Sequence, residues 1–283
     1  MIIDMRCRPP LEEFRKYFDI PRITWHGKRT GARTVSRAFV EGSMELFFEE
    51  MQEAGIDKAV VQGRNSPEVF MGTKFNAAFI RNERIAELQD KYPGRFVGLG
   101  GVDPSNTVHD AVSETERCIR SLGLKGIFLE PGRALGVGPD DQRLFPIYEK
   151  CLELRVPVSI MSGPYAGRDI DASNPLYIDR LATRYPDLKI ICGHGCYPFV
   201  QQIIGVAFKH TNVYVSPDMY IFAPGGQAYV EAANSTLREQ IIFGSAYPLR
   251  PLVQTVEDSR KLAFDLGTLP EYFSGNSCRV LGL

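Results

Sequence analysis

The chain has 283 residues, of which 44% are hydrophobic and 24% are charged, a balance typical of a globular protein. The 33 Lys and Arg against 34 Asp and Glu leave a formal charge of −1, which provides no field to attract nucleic acid. No apolar run approaches the roughly 20 residues of a membrane helix, and charged residues come too early for a secretory signal. We therefore predict a cytoplasmic protein without a nucleic-acid or membrane partner.

Eight short runs, most of them rich in β-branched residues, alternate with longer helical patterns along the chain. The first four predicted strands are Ile2–Met5, Lys58–Val61, Phe96–Leu99 and Gly126–Leu129. The last four are Pro157–Ile160, Lys189–Cys192, Val213–Ser216 and Gln240–Phe243. Apolar residues at steps of three and four predict the intervening helices, one of which starts near Ser43. This alternation predicts one domain, residues 1–283, and favours a closed (β/α)8 TIM barrel over an open doubly wound sheet.

The first strand of the predicted barrel ends in two arginines, at the end of the barrel where active sites lie. Arg6 and Arg8 are two residues apart, so their side chains project to the same side of the strand. Two guanidinium groups form a fork that fits a carboxylate or a phosphate. The alternative is that both arginines pair only with internal acids, Asp4 or Glu130.

The connection that follows this strand, residues 6–37, is cationic. It holds nine Lys or Arg, three Asp or Glu, and the pair Trp25-His26. In a barrel such a connection lies over the active-site mouth, and a cationic lid suits a small acidic substrate. The alternative for this segment is a solvated surface or a subunit contact.

Six segments occur in an order that is similar to the amidohydrolase superfamily. They are Ile2-Ile3-Asp4, Gly55-Ile56-Asp57, Pro157-Val158, Gly193-His194-Gly195, Phe243-Gly244-Ser245 with Tyr247-Pro248, and Gly275-Asn276. Within the superfamily the chain resembles the amidohydrolase-2 branch, which contains decarboxylases, lactonases and hydratases of carboxylated substrates. The resemblance implies a TIM barrel, a divalent metal at the strand ends, and association into homo-oligomers.

Compared with that family, most of the metal ligands are replaced in this chain. The family has His-x-His after strand one, where this sequence reads Arg6–Arg8, and a guanidinium has no lone pair to donate. The ligand histidine after strand five corresponds to the segment Met161–Gly163, and the aspartate after strand eight corresponds to Ala246. His194, after strand six, is retained. We therefore expect no metal cofactor.

The remaining polar residues at the strand ends suggest a catalytic group. His194, oriented by Asp218, would activate water, and Glu130 would carry a proton. The alternative is a rebuilt site in which Glu130, His194 and Asp218 hold one Zn or Mn ion. The predicted substrate-binding residues are Arg6, Arg8, Ser162, Tyr165, Tyr220 and Arg250.

The sequence thus favours an amidohydrolase-related hydrolase, lactonase-like, that acts on a small carboxylated substrate without the usual metal. The resemblance also allows decarboxylation, hydration or isomerisation. Two alternatives stay open: a metal-dependent decarboxylase or hydrolase with the relocated site, and a barrel that binds carboxylates without turnover.

Overall fold

A computed structural model of the chain describes residues 1–65 and 79–283, and between them the backbone of two short strands. The strands are β1 (Ile3–Cys7), β2 (Lys58–Gln62), β3 (Val69–Phe70), β4 (Thr73–Lys74), β5 (Phe96–Gly101), β6 (Ile127–Leu129), β7 (Val158–Met161), β8 (Ile190–Gly193) and β9 (Val213–Ser216). The helices are α1 (Glu12–Tyr17), α2 (Ile20–Arg29), α3 (Arg37–Glu41), α4 (Met44–Ala54), α5 (Asn82–Lys91), α6 (Ala111–Arg120), α7 (Pro131–Ala134), α8 (Phe145–Leu154), α9 (Pro175–Arg184), α10 (Val200–Lys209), α11 (Gln227–Ala233), α12 (Leu252–Arg260) and α13 (Asn276–Leu281). Short 3₁₀ turns span Gln142–Leu144, Ile170–Ser173 and Asp218–Phe222, and a π-helical turn spans Glu271–Gly275.

Seven parallel strands, in the order β1-β2-β5-β6-β7-β8-β9, form a nearly closed barrel with helices between them. The eighth place is taken by residues 240–247, which are bonded to β9 through Val215 and to β1 through Met5 and Arg8. The predicted strand Gln240–Phe243 therefore lies where the barrel needs it, although it pairs through an isolated bridge. Within this segment the Ser245 amide and hydroxyl bond the carboxylate of Asp4. The predicted TIM barrel is confirmed.

The barrel has two apolar layers, as the two-residue period of a strand requires. Ile3, Met5, Val60 and Leu99 belong to an inner cluster, whereas Cys7 belongs to the layer between strands and helices. The pairing of β1 with β2 shifts register between Asp4 and Cys7, and such irregularities re-aim the side chains that follow. As a result Arg6 and Arg8 both face the mouth of the barrel, as predicted.

The connection from β1 to α4 contains three helices, α1, α2 and α3. Asp19 caps α2 by accepting a hydrogen bond from the amide of Arg22, and Ser36 caps α3 in the same way. Ser43 caps α4, and Gly55, at φ 72°, ends that helix, which confirms the predicted start. Among the helices that the structure describes, none combines the length and the apolar composition needed to cross a membrane.

Candidate active site

The mouth of the barrel holds a cavity of about 280 Å³ at the C-terminal ends of the strands. Five arginines line it: Arg6, Arg8, Arg22, Arg64 and Arg133. No Asp or Glu within the described parts of the chain contributes to the lining. The helices of the 6–37 connection close one side of the cavity. This is the position over the barrel mouth that the sequence predicted for the connection. Such a concentration of guanidinium groups with few competing acids is a site for an anion.

Arg6 is fully buried, and its guanidinium lies in the centre of the mouth. One terminal nitrogen donates to Oε1 of Gln62 at 3.0 Å, and the other contacts the sulfur of Met161 at 3.1 Å. Its Nε lies 3.7 Å from a carboxylate oxygen of Asp218. A side chain at Gly193 would lie 2.7 Å from the guanidinium, so the glycine leaves the room that Arg6 occupies.

Only 9% of the surface of Arg8 is exposed, yet Arg8 makes no ion pair with any residue that the structure describes. Its guanidinium carbon stands 5.3 Å from the ring centre of Phe18. Burial, together with the charges of Arg6 and Arg64, lowers the pKa of Arg8 to about 9. A buried cation among other cations is costly without a counter-ion, and a bound anion would supply one.

Asp4 and Glu130 do not supply that counter-ion, contrary to the alternative in which they pair with the guanidinium groups of Arg6 and Arg8. Asp4 accepts hydrogen bonds from Ser245 and from the amide of Arg6. Glu130 lies between Arg64 at 3.0 Å and Arg133 at 2.7 Å.

Glu130 therefore differs from the proton carrier that the sequence suggested. It is buried, does not line the cavity, and acts as the counter-ion of two arginines. Sequence reasoning missed Arg64 and Arg133 as site residues. Arg64 could have been found, since it follows β2 by two residues; Arg133 depends on the turn of α7, three residues after Glu130.

His194 and Asp218 form the second element of the site. The Nδ1 of His194 lies 2.8 Å from the carboxylate of Asp218. Both residues have positive φ, 69° for His194 and 45° for Asp218, and left-handed backbone in non-glycine residues concentrates at functional sites. The ends of β8 and β9 thus place His194 at the cavity wall with the buried Asp218 behind its ring.

The charges around this pair favour a neutral imidazole. Burial, together with Arg6 and Arg8, lowers the pKa of His194 well below its ordinary value. Burial raises the pKa of Asp218 to about 7, against the opposing charge of Arg6. With the carboxylate facing Nδ1, the proton of a neutral ring is assigned to Nδ1 and a lone pair is left on Nε2. The pair therefore has the arrangement of a general base.

Of the six predicted substrate contacts, four line the cavity, Arg6 and Arg8 among them, and two do not. Tyr165 and Tyr220 are part of the wall. Ser162 is not, because its hydroxyl donates to the carbonyl of Gly193 at 2.8 Å and supports the turn that carries His194. Its assignment as a substrate contact is therefore corrected to a positioning role.

Arg250 is also outside the cavity lining, and its predicted contact with substrate is corrected too. Its guanidinium pairs with Asp258 at 2.6 Å, donates to the carbonyl of Thr30, and lies 4.0 Å from the ring centre of Phe222. Arg250 thus fastens the end of α2 to α12. It holds the lid and is not free to meet a ligand.

The described residues do not fit a divalent metal. They contain no group of three or more His, Cys, Asp or Glu side chains that could hold an ion, and Glu130 does not join His194 and Asp218. The guanidinium of Arg6 fills the centre of the mouth and contacts Met161, which stands at one of the family's ligand positions. A dication there would face Arg6 and Arg8 with few ligands to offset their charge.

Comparisons with known proteins agree with the fold and the family. The amidohydrolase profile Amidohydro_2 matches residues 3–283. An uncharacterised TIM-barrel protein, Bb4693 of Bordetella bronchiseptica, is 35% identical in sequence with a TM-score of 0.90, covering 99% of this chain and 98% of its own. A 5-carboxyvanillate decarboxylase of Novosphingobium aromaticivorans, solved with manganese and a nitrobenzoic acid, is 18% identical with a TM-score of 0.70, covering 100% of this chain and 96% of its own. At that identity it shows the fold alone.

Two curated relatives act on carboxylated small molecules according to their names. A 2-amino-3-carboxymuconate-6-semialdehyde decarboxylase of Dictyostelium discoideum is 32% identical over 242 residues, 71% of this chain and 65% of its own length. A 2-keto-4-carboxy-3-hexenedioate hydratase of Sphingobium sp. strain SYK-6 is 30% identical over 132 residues, 40% of this chain and 39% of its own length. The match thus spans less than two thirds of either relative.

Proposed function

The chain belongs to the amidohydrolase family, and on that premise we propose that it is a metal-independent enzyme that adds water to a small polycarboxylate. Ring opening of a carboxylated lactone is the first reaction to test. The observation that carries the proposal is the arginine-lined cavity that faces the neutral His194 beside Asp218. The proposal includes a single domain, a cytoplasmic location and a homo-oligomeric state.

The arginines would bind the carboxylates of the substrate. Arg8 has no acidic partner among the described residues, so a carboxylate that reaches it gains a charge-assisted, bidentate contact. Arg6 is held by Gln62 and Asp218, which fixes its donors at the centre of the mouth. Donors that are fixed in this way can stabilise the oxyanion that forms when water attacks a carbonyl.

The His194–Asp218 pair would activate the water. Nε2 of His194 takes one proton while the water oxygen bonds to the lactone carbonyl carbon, and the carbonyl electrons move onto its oxygen beside the arginines. Collapse of this intermediate breaks the ring C–O bond, and a proton is delivered to the leaving oxygen. Asp218 keeps the ring oriented and stabilises the imidazolium.

Substrate charge would improve this base. The arginines contribute to the lowered pKa of His194, so an anion that offsets Arg6 and Arg8 raises that pKa towards its ordinary value. The base is therefore strongest when a polycarboxylate is bound.

Decarboxylation is the second candidate, and the similarity to the curated decarboxylase favours it. The arginines would then stabilise the carbanion or enolate left after loss of carbon dioxide. This reaction needs a proton donor to carbon, which the neutral Nε2 of His194 does not supply without first taking up a proton.

A substrate screen on protein dialysed against a chelator tests the proposal. We expect hydrolysis of isocitric lactone, which carries two carboxylates, and loss of roughly 100-fold or more of kcat in His194→Ala. The matched control is His210→Gln, because His210 pairs with Asp179 at 2.7 Å and lies outside the cavity lining. Release of carbon dioxide from a hydroxybenzoate, with the lactone untouched, would favour decarboxylation. A requirement for added metal would refute the metal-independent mechanism.

A further inference from the structure

Tyr17 is a titratable residue of the cavity that the proposed chemistry does not yet use. It ends α1 in the lid, lines the cavity, and is 9% exposed. Its ring stands between two guanidinium groups, with the carbon of Arg64 at 4.1 Å and that of Arg22 at 5.0 Å from the ring centre. A phenol enclosed by cations is stabilised as its phenolate.

The groups that face the Tyr17 phenol come from several elements, and most are cationic. Burial raises its pKa, but the charges of Arg133 and Arg64, together with a hydrogen bond from Arg64, outweigh burial and lower the pKa from 10 to about 8. Glu130 opposes this effect, and Arg8 lies near enough to interact with the phenol. The acidity of Tyr17 thus follows from the same cluster that would bind the substrate.

Tyr17 and His194 both line the cavity but come from different elements, the lid helix α1 and the end of β8. Arg64 and Glu130, which surround Tyr17, follow β2 and β6, whereas His194 and Asp218 follow β8 and β9. In the barrel order β1-β2-β5-β6-β7-β8-β9 the strands β6 and β8 are separated by β7. A ligand in the cavity can meet both proton-transfer groups, because both line it.

We infer that Tyr17 is the proton donor of the reaction, which protonates the leaving oxygen while His194 accepts the proton of water. The inference rests on the proposed function. The phenolic O–H bond breaks, a new O–H bond forms on the leaving alkoxide, and the phenolate that remains is stabilised by Arg64 and Arg133. Proton exchange with solvent then returns one proton to Tyr17 and removes one from His194, so the cycle consumes one water.

Titration of the ligand-free protein tests the phenol without any substrate. We expect ultraviolet difference absorbance to show one tyrosinate forming near pH 8 in the wild type and not in Tyr17→Phe. Burial raises the pKa of Tyr148, Tyr229 and Tyr247, which keeps those phenols protonated in this range. Tyr165→Phe, in the same cavity, is the matched control and should retain the early transition. A wild type without it, or a Tyr17→Phe variant that keeps it, would overturn the inference.

Kinetics on two substrates test the acid role. The leaving group of isocitric lactone is an alkoxide that needs a proton. The leaving group of the nitrophenyl monoester of succinic acid is a nitrophenolate, which is stable without one. We expect Tyr17→Phe to lower kcat on the lactone by about 10²-fold and to change kcat on the ester by only a few-fold, with KM unchanged. Equal losses on both substrates would overturn the acid role. Lack of turnover of both by the wild type would count against the proposed function, and the titration would still decide on Tyr17.

Discussion

Replacement of Arg8 by methionine should make the ligand-free protein more stable while it removes the binding of carboxylates. Arg8 is buried beside Arg6 and Arg64, and its pKa falls from 12.5 to about 9. That difference of about 3.5 corresponds to a penalty of about 5 kcal/mol on the charged side chain, at about 1.4 kcal/mol per pKa unit. Part of this is regained through Phe18 and through local relaxation, so we expect Arg8→Met to stabilise the fold by about 1–4 kcal/mol.

The stability that Arg8→Met gains should depend on pH in one direction. Below pH 9 Arg8 is protonated in both the folded and the unfolded chain, so the full penalty applies. Above pH 9 the folded state releases the proton first, and the penalty shrinks. The advantage of Arg8→Met should therefore be constant around neutral pH and decline in alkali.

Urea unfolding and ligand-induced stabilisation give the two readouts. At neutral pH the midpoint for Arg8→Met should rise with an unchanged slope. Succinate, which should raise the melting temperature of the wild type, should have no effect on the variant. The exposed Arg260→Met is the control, and its stability should stay within about 0.5 kcal/mol of the wild type with succinate binding intact. A less stable Arg8→Met, or one that succinate still stabilises, would refute the assignment of Arg8 as an unsatisfied anion ligand.

Four further outcomes follow from the site. Arg6→Met should destabilise the fold by about 3–5 kcal/mol in urea unfolding, because it leaves the buried Asp218 without its cation. The kcat/KM of the wild type should rise with pH to a plateau above about 7, because Asp218 ionises there. Asp218→Asn should lower kcat by roughly 10²–10⁴-fold, and its kcat/KM should no longer rise in this pH range. Elemental analysis should find far less than one metal per chain, and a chelator should not change kcat; one ion per chain lost in His194→Ala would contradict this. Arg250→Ala should increase proteolysis near Thr30, because the lid loses its anchor, whereas unchanged cleavage would show that other contacts suffice.

The strand ends made part of the site predictable from sequence. Arg6 and Arg8 stand at the end of β1, and His194 and Asp218 follow β8 and β9, strands whose C-terminal ends must meet in a barrel. The barrel topology therefore brings these side chains close together. Ser162 also follows a strand, but its hydroxyl turns to the carbonyl of Gly193, and a strand-end rule does not fix such a rotation.

Contacts between distant segments decided the rest. Glu130 was expected to handle a proton because no local signal shows that Arg64, 66 residues earlier in the chain, takes up its carboxylate. Tyr17 ends α1 within the 6–37 connection and lines the cavity, and no local pattern in that connection marks it as a site residue. Arg250 lies near the eighth strand end but is engaged by Asp258 on α12. Such long-range pairings depend on the assembled barrel.

The replaced ligands and the added arginines have one chemical consequence. A guanidinium can bind carboxylates and stabilise an oxyanion, but it has no vacant orbital with which to acidify a bound water. Under the proposed function the base is a side chain, and His194 beside Asp218 stands at the cavity wall. Burial, together with Arg6 and Arg8, lowers the pKa of His194, and the carboxylates of a substrate would offset the part that the arginines contribute. A polycarboxylate would thus act both as the reactant and as the counter-ion that makes His194 basic.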